Sequence, residues 1–124
     1  MRLLLDTHVF IWWLDRKPIT GSAHAAISDG TSQVFISAVT PWEIAIKKNL
    51  GRLNAPDDLS DQLVSHRFVP LDITHAHALA AGSLPLHHRD PFDRFLVAQA
   101  NLEGLTLVTR DPLFERYDVR VLAA

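Results

Sequence analysis

Short apolar runs alternate with longer amphipathic segments along this chain of 124 residues. Runs with the length and composition of buried β-strands occur at 3–5, 33–36, 68–71, 105–108 and 119–122. Segments with the apolar period of a helix occur at 8–14, 22–28, 59–66, 74–81 and 91–102, and from Pro41 onward. Pro70 favours a sheet edge for the third run. This alternation predicts βαβ units, and therefore one α/β domain over residues 1–124 with a mostly parallel sheet between helices.

Two of the predicted helices begin with the same arrangement of polar residues. Asp90 stands at the N-cap position and Asp93 at the third helical position, with a proline directly after the cap. Thr40 and Glu43 repeat this spacing around a second proline, which predicts a capping box. Acids in a first turn are stabilised by the helix dipole, so capping alone would explain either pair.

Composition and charge exclude several classes of protein. The net charge of −2 provides no basic field, which weakens the case for a nucleic-acid partner without excluding one. The absence of cysteine excludes disulfides and thiolate metal sites and fits a reducing cytoplasm. Asp6 interrupts the apolar start of the chain, and no run is long enough to span a bilayer. We therefore expect a cytoplasmic protein with no membrane partner.

Five carboxylates are expected at one edge of the sheet. Asp6 follows the first strand, Asp111 follows the fourth, and Glu43 lies in the first turn of the helix after the second. Asp90 and Asp93 open the helix that leads into the fourth strand, so they are expected near the carboxyl end of that strand. Functional groups of parallel α/β sheets gather outside the carboxyl ends of the strands. The sequence thus predicts an acidic cluster there.

Crowded carboxylates repel one another, so their pKa values rise or they recruit a cation. Oxygen ligands without sulfur favour a hard divalent ion, Mg²⁺ or Mn²⁺. Such an ion can polarise a phosphodiester and generate a hydroxide nucleophile from water. The predicted chemistry is therefore the metal-dependent hydrolysis of a phosphate ester.

Four sequence motifs carry a resemblance to a known family. In chain order they are Leu-Leu-Leu-Asp6-Thr7-His8, Ile36-Ser37-Ala38 with Trp42-Glu43-Ile44, His88-Arg89-Asp90-Pro91-Phe92-Asp93-Arg94, and Leu107-Val108-Thr109-Arg110-Asp111. Over essentially the whole chain they resemble PIN-domain ribonucleases, most closely the VapC-type toxins of bacterial and archaeal toxin–antitoxin modules. The resemblance implies a three-layer α/β fold and a Mg²⁺- or Mn²⁺-dependent endoribonuclease. It also implies a cognate antitoxin partner and a homodimer of the toxin.

The resemblance also assigns roles to individual residues. Asp6, Glu43, Asp93 and Asp111 match the acidic quartet that binds the metal and cuts RNA, and Asp90 matches a further acid. Residues that would support these acids or bind RNA are Thr7, Ser37, Arg89, Arg94, Thr109 and Arg110. Small polar residues at strand ends are also common turn formers, and surface ion pairing explains the arginines equally well.

Histidines and tryptophans suggest other kinds of site. His87 and His88 stand beside the acids, but adjacent residues point in different directions on most backbones. His75 and His77 lack the helical spacing of four, so a histidine metal site is not expected. The residues suited to stacking on bases are Trp12, Trp13 and Trp42. Their apolar surroundings favour packing in the core, or at an interface with a dimer mate or antitoxin.

Two non-enzymatic alternatives are weighed against the nuclease. A receiver-like Mg²⁺-binding signalling module needs paired acids after its first strand, but Thr7 and His8 follow Asp6. It also needs a phosphorylatable aspartate after its middle strand, and that strand ends at Ser37. An interaction scaffold whose acids are all helix caps leaves Asp6 and Asp111 unexplained. The nuclease is therefore favoured.

Overall fold

A parallel five-stranded sheet forms the centre of the computed structural model, which describes residues 1–124. Its strands are β1 (Arg2–Leu5), β2 (Gln33–Ser37), β3 (Val69–Leu71), β4 (Thr106–Thr109) and β5 (Val121–Ala123). They lie in the order β3-β2-β1-β4-β5, and every neighbouring pair is parallel. The predicted parallel sheet and the edge position of the strand containing Pro70 are confirmed.

Six α-helices surround the sheet. They are α1 (Thr7–Leu14), α2 (Gly21–Ser28), α3 (Val39–Asn49), α4 (Leu59–Ser65), α5 (His75–Ser83) and α6 (Pro91–Glu103). A short 3₁₀ helix, Pro112–Arg116, lies between β4 and β5. Gly104 ends α6 in the left-handed conformation (φ 66°), which glycine adopts without steric cost. None of the helices is both long and apolar enough to cross a membrane.

The central strand β1 has an uninterrupted apolar sequence because both of its faces are buried. Side chains alternate between the two faces of a strand, and both faces of this sheet are covered. Leu3 and Leu5 pack on one face with residues of α1 and α2, whereas Leu4 packs on the other with residues of α6. All three leucines are fully buried. The α/β fold with three layers is therefore confirmed.

The start of α3 differs from the prediction, and the capping box expected at Thr40 is wrong. The helix begins at Val39, whose N–H donates to Ser37 Oγ at 3.1 Å. Thr40 instead lies inside the first turn, fully buried, with its Oγ1 3.3 Å from Thr7 Oγ1 of α1. Pro41 is tolerated at the third position because N–H groups of the first turn have no intrahelical acceptor. Burial against α1, rather than capping, fixes Thr40.

The cap of α5 is confirmed and gives a measurable prediction. Thr74 Oγ1 accepts the His77 N–H at 3.1 Å, while His77 Nδ1 accepts the Thr74 N–H at 3.1 Å. We expect Thr74→Ala to lower the free energy of unfolding by about 1 kcal/mol in thermal or urea denaturation. The control is Ser60→Ala on α4, an exposed hydroxyl without a hydrogen bond, for which we expect a change below about 0.5 kcal/mol. Equal effects would contradict the capping role.

Candidate functional site

Two of the expected acids are fixed at the carboxyl ends of β1 and β4 by capping. Asp6 Oδ1 accepts the N–H groups of His8 (2.7 Å) and Val9 (3.3 Å), which makes Asp6 the N-cap of α1. Asp111 Oδ1 accepts the Leu113 N–H at 2.9 Å and caps the 3₁₀ helix. Because β1 and β4 are hydrogen-bonded neighbours, these two caps lie on the same edge of the sheet.

Asp90 and Asp93 occupy the helical positions predicted for them. Asp90 is the N-cap of α6, and its Oδ1 accepts the Phe92 N–H at 2.9 Å. Asp93 is the third residue of the helix, and its carboxylate accepts no backbone N–H. Its side chain is only 17% exposed. Asp93 is thus a largely buried acid whose position does not follow from capping.

Glu43 lies in the interior, at 2% exposure, between two side-chain donors. Its Oε1 accepts the Thr7 hydroxyl at 2.7 Å, and its Oε2 accepts Lys47 Nζ at 2.5 Å. Burial alone would lower the pKa of Lys47, but the hydrogen bond to Glu43 and the charges of Glu43, Asp90 and Asp93 raise it overall. Lys47 therefore stays protonated, and its positive charge partly balances the negative charge of the acidic cluster.

The charges of all four other acids act on the Asp93 carboxyl, so the structure brings the five carboxylates near one another. Burial contributes most, and the charges of Asp90, Asp6, Glu43 and Asp111 add to it, raising the pKa of Asp93 to about 8. Burial also raises the pKa of Asp6, although the Thr109 hydroxyl, 2.5 Å from Asp6 Oδ2, opposes this. Such a cluster is electrostatically unfavourable unless protons or cations compensate it.

The expectation that a scaffold of helix caps leaves Asp6 and Asp111 unexplained is wrong, because both residues are N-caps. Capping therefore explains three of the five acids, including Asp90. It does not explain Glu43 or Asp93, neither of which accepts a backbone N–H. A functional site is therefore indicated by Glu43, by Asp93 and by the crowding of negative charge around Asp93.

His88 was noted beside the acids in the sequence but was not expected at a metal site, whereas the structure places it in the cluster. Its Nε2 lies 2.8 Å from Asp93 Oδ2 and 3.1 Å from Asp111 Oδ2. Its Nδ1 accepts the Asp90 N–H at 3.2 Å, so the proton directed at the carboxylates is on Nε2. His87 points away and packs edge-on against Tyr117, as expected for an adjacent residue. The only sequence signal for His88 was its closeness to Asp90.

This edge of the sheet offers several possible metal-ligand atoms within reach of one another. The ligand atoms of His88, Asp93 and Asp111 lie within 4.8 Å of each other, and all three side chains are partly exposed. Asp6 and Glu43 are close enough to raise the pKa of Asp93. The donor set is mostly carboxylate oxygen, which suits a hard divalent cation better than a soft one.

The small polar residues and arginines divide into different groups. Thr7 and Thr109 donate to Glu43 and Asp6, whereas Ser37 accepts a backbone N–H and contacts no acid. The Arg94 guanidinium donates to three carbonyls, that of Ala81 in the last turn of α5 and those of Leu84 and Pro85 directly after the helix. Arg89 is exposed, and Arg110 donates to two carbonyls. None of the three arginines forms an ion pair within 4 Å.

The chain combines a parallel α/β sheet with crowded acids at the carboxyl edge of that sheet, and these acids form a candidate hydrolytic site. The chain belongs to the PIN domain family, whose model matches residues 3–120. The resemblance inferred from the four sequence motifs is confirmed at the level of this family. No curated protein sequence gives a significant match.

Solved structures similar to this chain share its fold. A chain of VapBC2 from Rickettsia felis, bound to a promoter DNA fragment, is 16% identical (TM-score 0.74; 99% of this chain and 98% of that chain). A chain of VapBC-1 from nontypeable Haemophilus influenzae is 19% identical (TM-score 0.69; 99% and 98%). A chain of a toxin–antitoxin complex from Klebsiella pneumoniae is 22% identical (TM-score 0.68; 97% and 95%).

Proposed function

We propose that this protein is a divalent-metal-dependent endoribonuclease and the toxin of a type II toxin–antitoxin pair. The observation that carries the proposal is the largely buried Asp93 carboxylate, whose pKa is raised to about 8 by its burial and, in addition, by the charges of the four other acids. Membership of the PIN domain family supports nuclease activity. The VapBC and toxin–antitoxin complexes among the similar folds support a cognate antitoxin as partner. We further propose a cytoplasmic homodimer, in keeping with the VapC-type resemblance.

The residues of the cluster fit Mg²⁺ or Mn²⁺. We assign Asp6, Glu43, Asp93 and Asp111 to metal binding and catalysis, with Asp90 as a further ligand. All five offer carboxylate oxygens, the donors that these ions prefer, and the chain has no thiolate that would favour a softer metal. A bound ion supplies Lewis-acid polarisation of a phosphodiester and activation of water. It would also offset the burial and the carboxylate repulsion that together raise the pKa of Asp93.

The surrounding side chains orient the proposed ligands. Thr109 and the N-terminal amides of α1 hold the two oxygens of Asp6, while Thr7 and Lys47 hold those of Glu43. These contacts fix carboxylates that are otherwise free to rotate, and such outer contacts are important for metal affinity. His88 Nε2 donates between Asp93 and Asp111 and keeps both facing the same space.

The proposal is tested by incubating the purified, partner-free protein with structured RNA in Mg²⁺, in Mn²⁺ or in EDTA. We expect cleavage in either metal, none in EDTA, and restoration when excess Mn²⁺ follows EDTA. Because water is the proposed nucleophile, an RNA with 2′-deoxy substitutions at the cut site should still be cleaved. Equal cleavage with and without EDTA would contradict the metal site. A metal-independent RNase that uses the 2′-hydroxyl would fail on the substituted RNA.

Thr109 allows a test of the positioning contacts. We expect Thr109→Val to weaken Mn²⁺ affinity by about tenfold or more, because Asp6 loses its hydroxyl donor while side-chain volume is kept. Thr109→Ser retains the hydroxyl and should stay within about threefold of the wild type. Isothermal titration with Mn²⁺ measures both variants, and identical affinities for valine and serine would contradict the positioning role.

A further inference from the structure

A cavity of about 400 Å³ opens beside the acidic cluster, on the side where α1 faces the end of β4. Its walls are formed by Asp6, His8, Trp12, Arg110, Asp111 and Pro112. Two of these residues are proposed metal ligands, so the cavity adjoins the proposed cleavage site. Its size falls within the range of small-molecule pockets, roughly 300–1,000 Å³.

Arg110 presents a fixed positive charge to this cavity. Its Nε donates to the Ala124 carbonyl at 3.1 Å, and one Nη donates to the Pro18 carbonyl at 3.0 Å. The guanidinium also lies over the Trp12 ring, 4.3 Å from the ring centroid. A guanidinium has five N–H donors, of which these two hydrogen bonds use two, and no Asp or Glu carboxylate lies within 4 Å of this one. Arg110 therefore has donors free for an anion and is held in one orientation.

His8 and Trp12 supply aromatic surface beside this charge. They are one helical turn apart on α1, with ring centroids 6.0 Å apart and planes inclined by 41°. His8 is exposed and Trp12 is partly exposed. Trp13, in contrast, packs against Phe68 and His24 on another side of the helix. Both tryptophans pack partly against the core, as expected from sequence, and each borders an opening, but only Trp12 lines the cavity beside the acids.

We propose that this cavity is a nucleotide subsite, which holds one nucleotide of the RNA next to the cleaved phosphodiester. Arg110 donates to a phosphate of that nucleotide, and its base stacks against the Trp12 and His8 rings. A cation beside aromatic faces can bind both the phosphate and the base of a nucleotide. An acidic peptide would complement only the positive charge. The proposal deepens the nuclease function and rests on it for the identity of the polymer.

The subsite is tested without catalysis, by titrating the metal-free protein in EDTA with adenosine 5′-monophosphate. The readout is the set of indole N–H signals in ¹H–¹⁵N spectra, assigned with single Trp→Phe variants. We expect adenosine 5′-monophosphate to shift the Trp12 signal and to leave the Trp42 signal unchanged. Ribose 5-phosphate, which lacks the base, should bind about tenfold more weakly. Added Mg²⁺ should tighten nucleotide binding, because it screens the repulsion between phosphate and the two acids in the wall.

Matched variants distinguish nucleotide binding at the subsite from non-specific attraction by positive charge. Arg110→Ala and His8→Ala should each weaken binding of adenosine 5′-monophosphate about tenfold, whereas Arg52→Ala, at an exposed arginine outside the cavity, should leave it unchanged. His8 is exposed, so His8→Ala keeps the test valid if Arg110→Ala disturbs the fold. In RNA cleavage, His8→Ala should raise KM about tenfold and leave kcat within about twofold.

Failure of the subsite is distinguishable from failure of the nuclease proposal. An unshifted Trp12 signal in folded wild-type protein, or binding insensitive to both variants, would overturn the subsite even if metal-dependent cleavage is observed. Equal binding of ribose 5-phosphate would overturn base stacking. Loss of metal-dependent cleavage with intact nucleotide binding would instead overturn the nuclease proposal.

Discussion

Asp93→Asn is expected to slow metal-dependent RNA cleavage by about 100-fold or more. The charges of the other four acids all act on Asp93. Asparagine removes the anionic oxygen of this residue at nearly constant side-chain volume. Loss of one group that stabilises developing charge commonly costs about 10²–10³ in rate. Asparagine still offers an oxygen to His88 Nε2, so the surrounding structure is expected to persist. The measurement is single-turnover cleavage at saturating Mn²⁺ and a pH near 8.

The matched control for this variant is Asp61→Asn. Asp61 is an exposed first-turn acid of α4, so it shares the helical setting of Asp93 but lies outside the cluster. It should retain the wild-type rate within about twofold. Asp6→Asn should behave like Asp93→Asn. A rate for Asp93→Asn within about threefold of the wild type would show that the acid is not required for cleavage.

The second large effect concerns the pH dependence of stability without metal. Burial, followed by the charges of the neighbouring acids, raises the pKa of Asp93 to about 8, from an ordinary value near 3.9. Between these values the folded state binds more protons than the unfolded state. The contribution of Asp93 to stability therefore falls as the pH rises from about 4 to about 8. Above pH 8 the loss is complete.

Asp93→Asn removes this titration, so the variant should become progressively more stable than the wild type across that window. The difference should grow by up to about 1.4 kcal/mol per pH unit and level off above pH 8. Urea denaturation in EDTA at several pH values measures it, with Asp61→Asn as the control. A constant loss of about 0.3–1 kcal/mol at every pH would identify Asp93 as an ordinary helix-dipole acid.

Much of the fold follows from local sequence because the apolar pattern and the termination signals agree. The unbroken run Leu3–Leu5 predicts a strand covered on both faces, and both faces are covered in the structure. Gly104 predicts the end of α6, which it forms in the left-handed conformation. The last strand was placed too early, since Val119 donates to the Tyr117 carbonyl in a turn and β5 begins at Val121.

The positions of the acids were predictable, but their local contacts were not. Topology alone carries Asp6 and Asp111 to the same edge of a parallel sheet. Their capping bonds depend on the exact first residue of the following helix, which the apolar period does not define. The same uncertainty led to the wrong cap at Thr40. His88 was considered but set aside, because its contacts with Asp93 and Asp111 leave no periodic signal in the sequence.

The arginines show a further limit of sequence reasoning. Arg94 and Arg110 each follow a predicted site acid or threonine, and nothing in their spacing distinguishes them. In the structure, Arg94 donates to three carbonyls at the C-terminal end of α5 and directly after it, whereas Arg110 faces a cavity beside the acids. This difference depends on chain segments distant in sequence, such as Pro18 and Ala124. Only the tertiary structure can therefore assign them different roles.

The most direct test of the central claim, that the crowded acids form a divalent-metal site, is a Mn²⁺ titration followed by electron paramagnetic resonance. Free and bound Mn²⁺ give distinct signals, so the measurement needs neither substrate nor partner. We predict saturable binding to the wild type and to Asp61→Asn, and at least a tenfold loss of affinity in Asp93→Asn. No saturable binding to the wild type, or equal binding to Asp93→Asn, would contradict the claim.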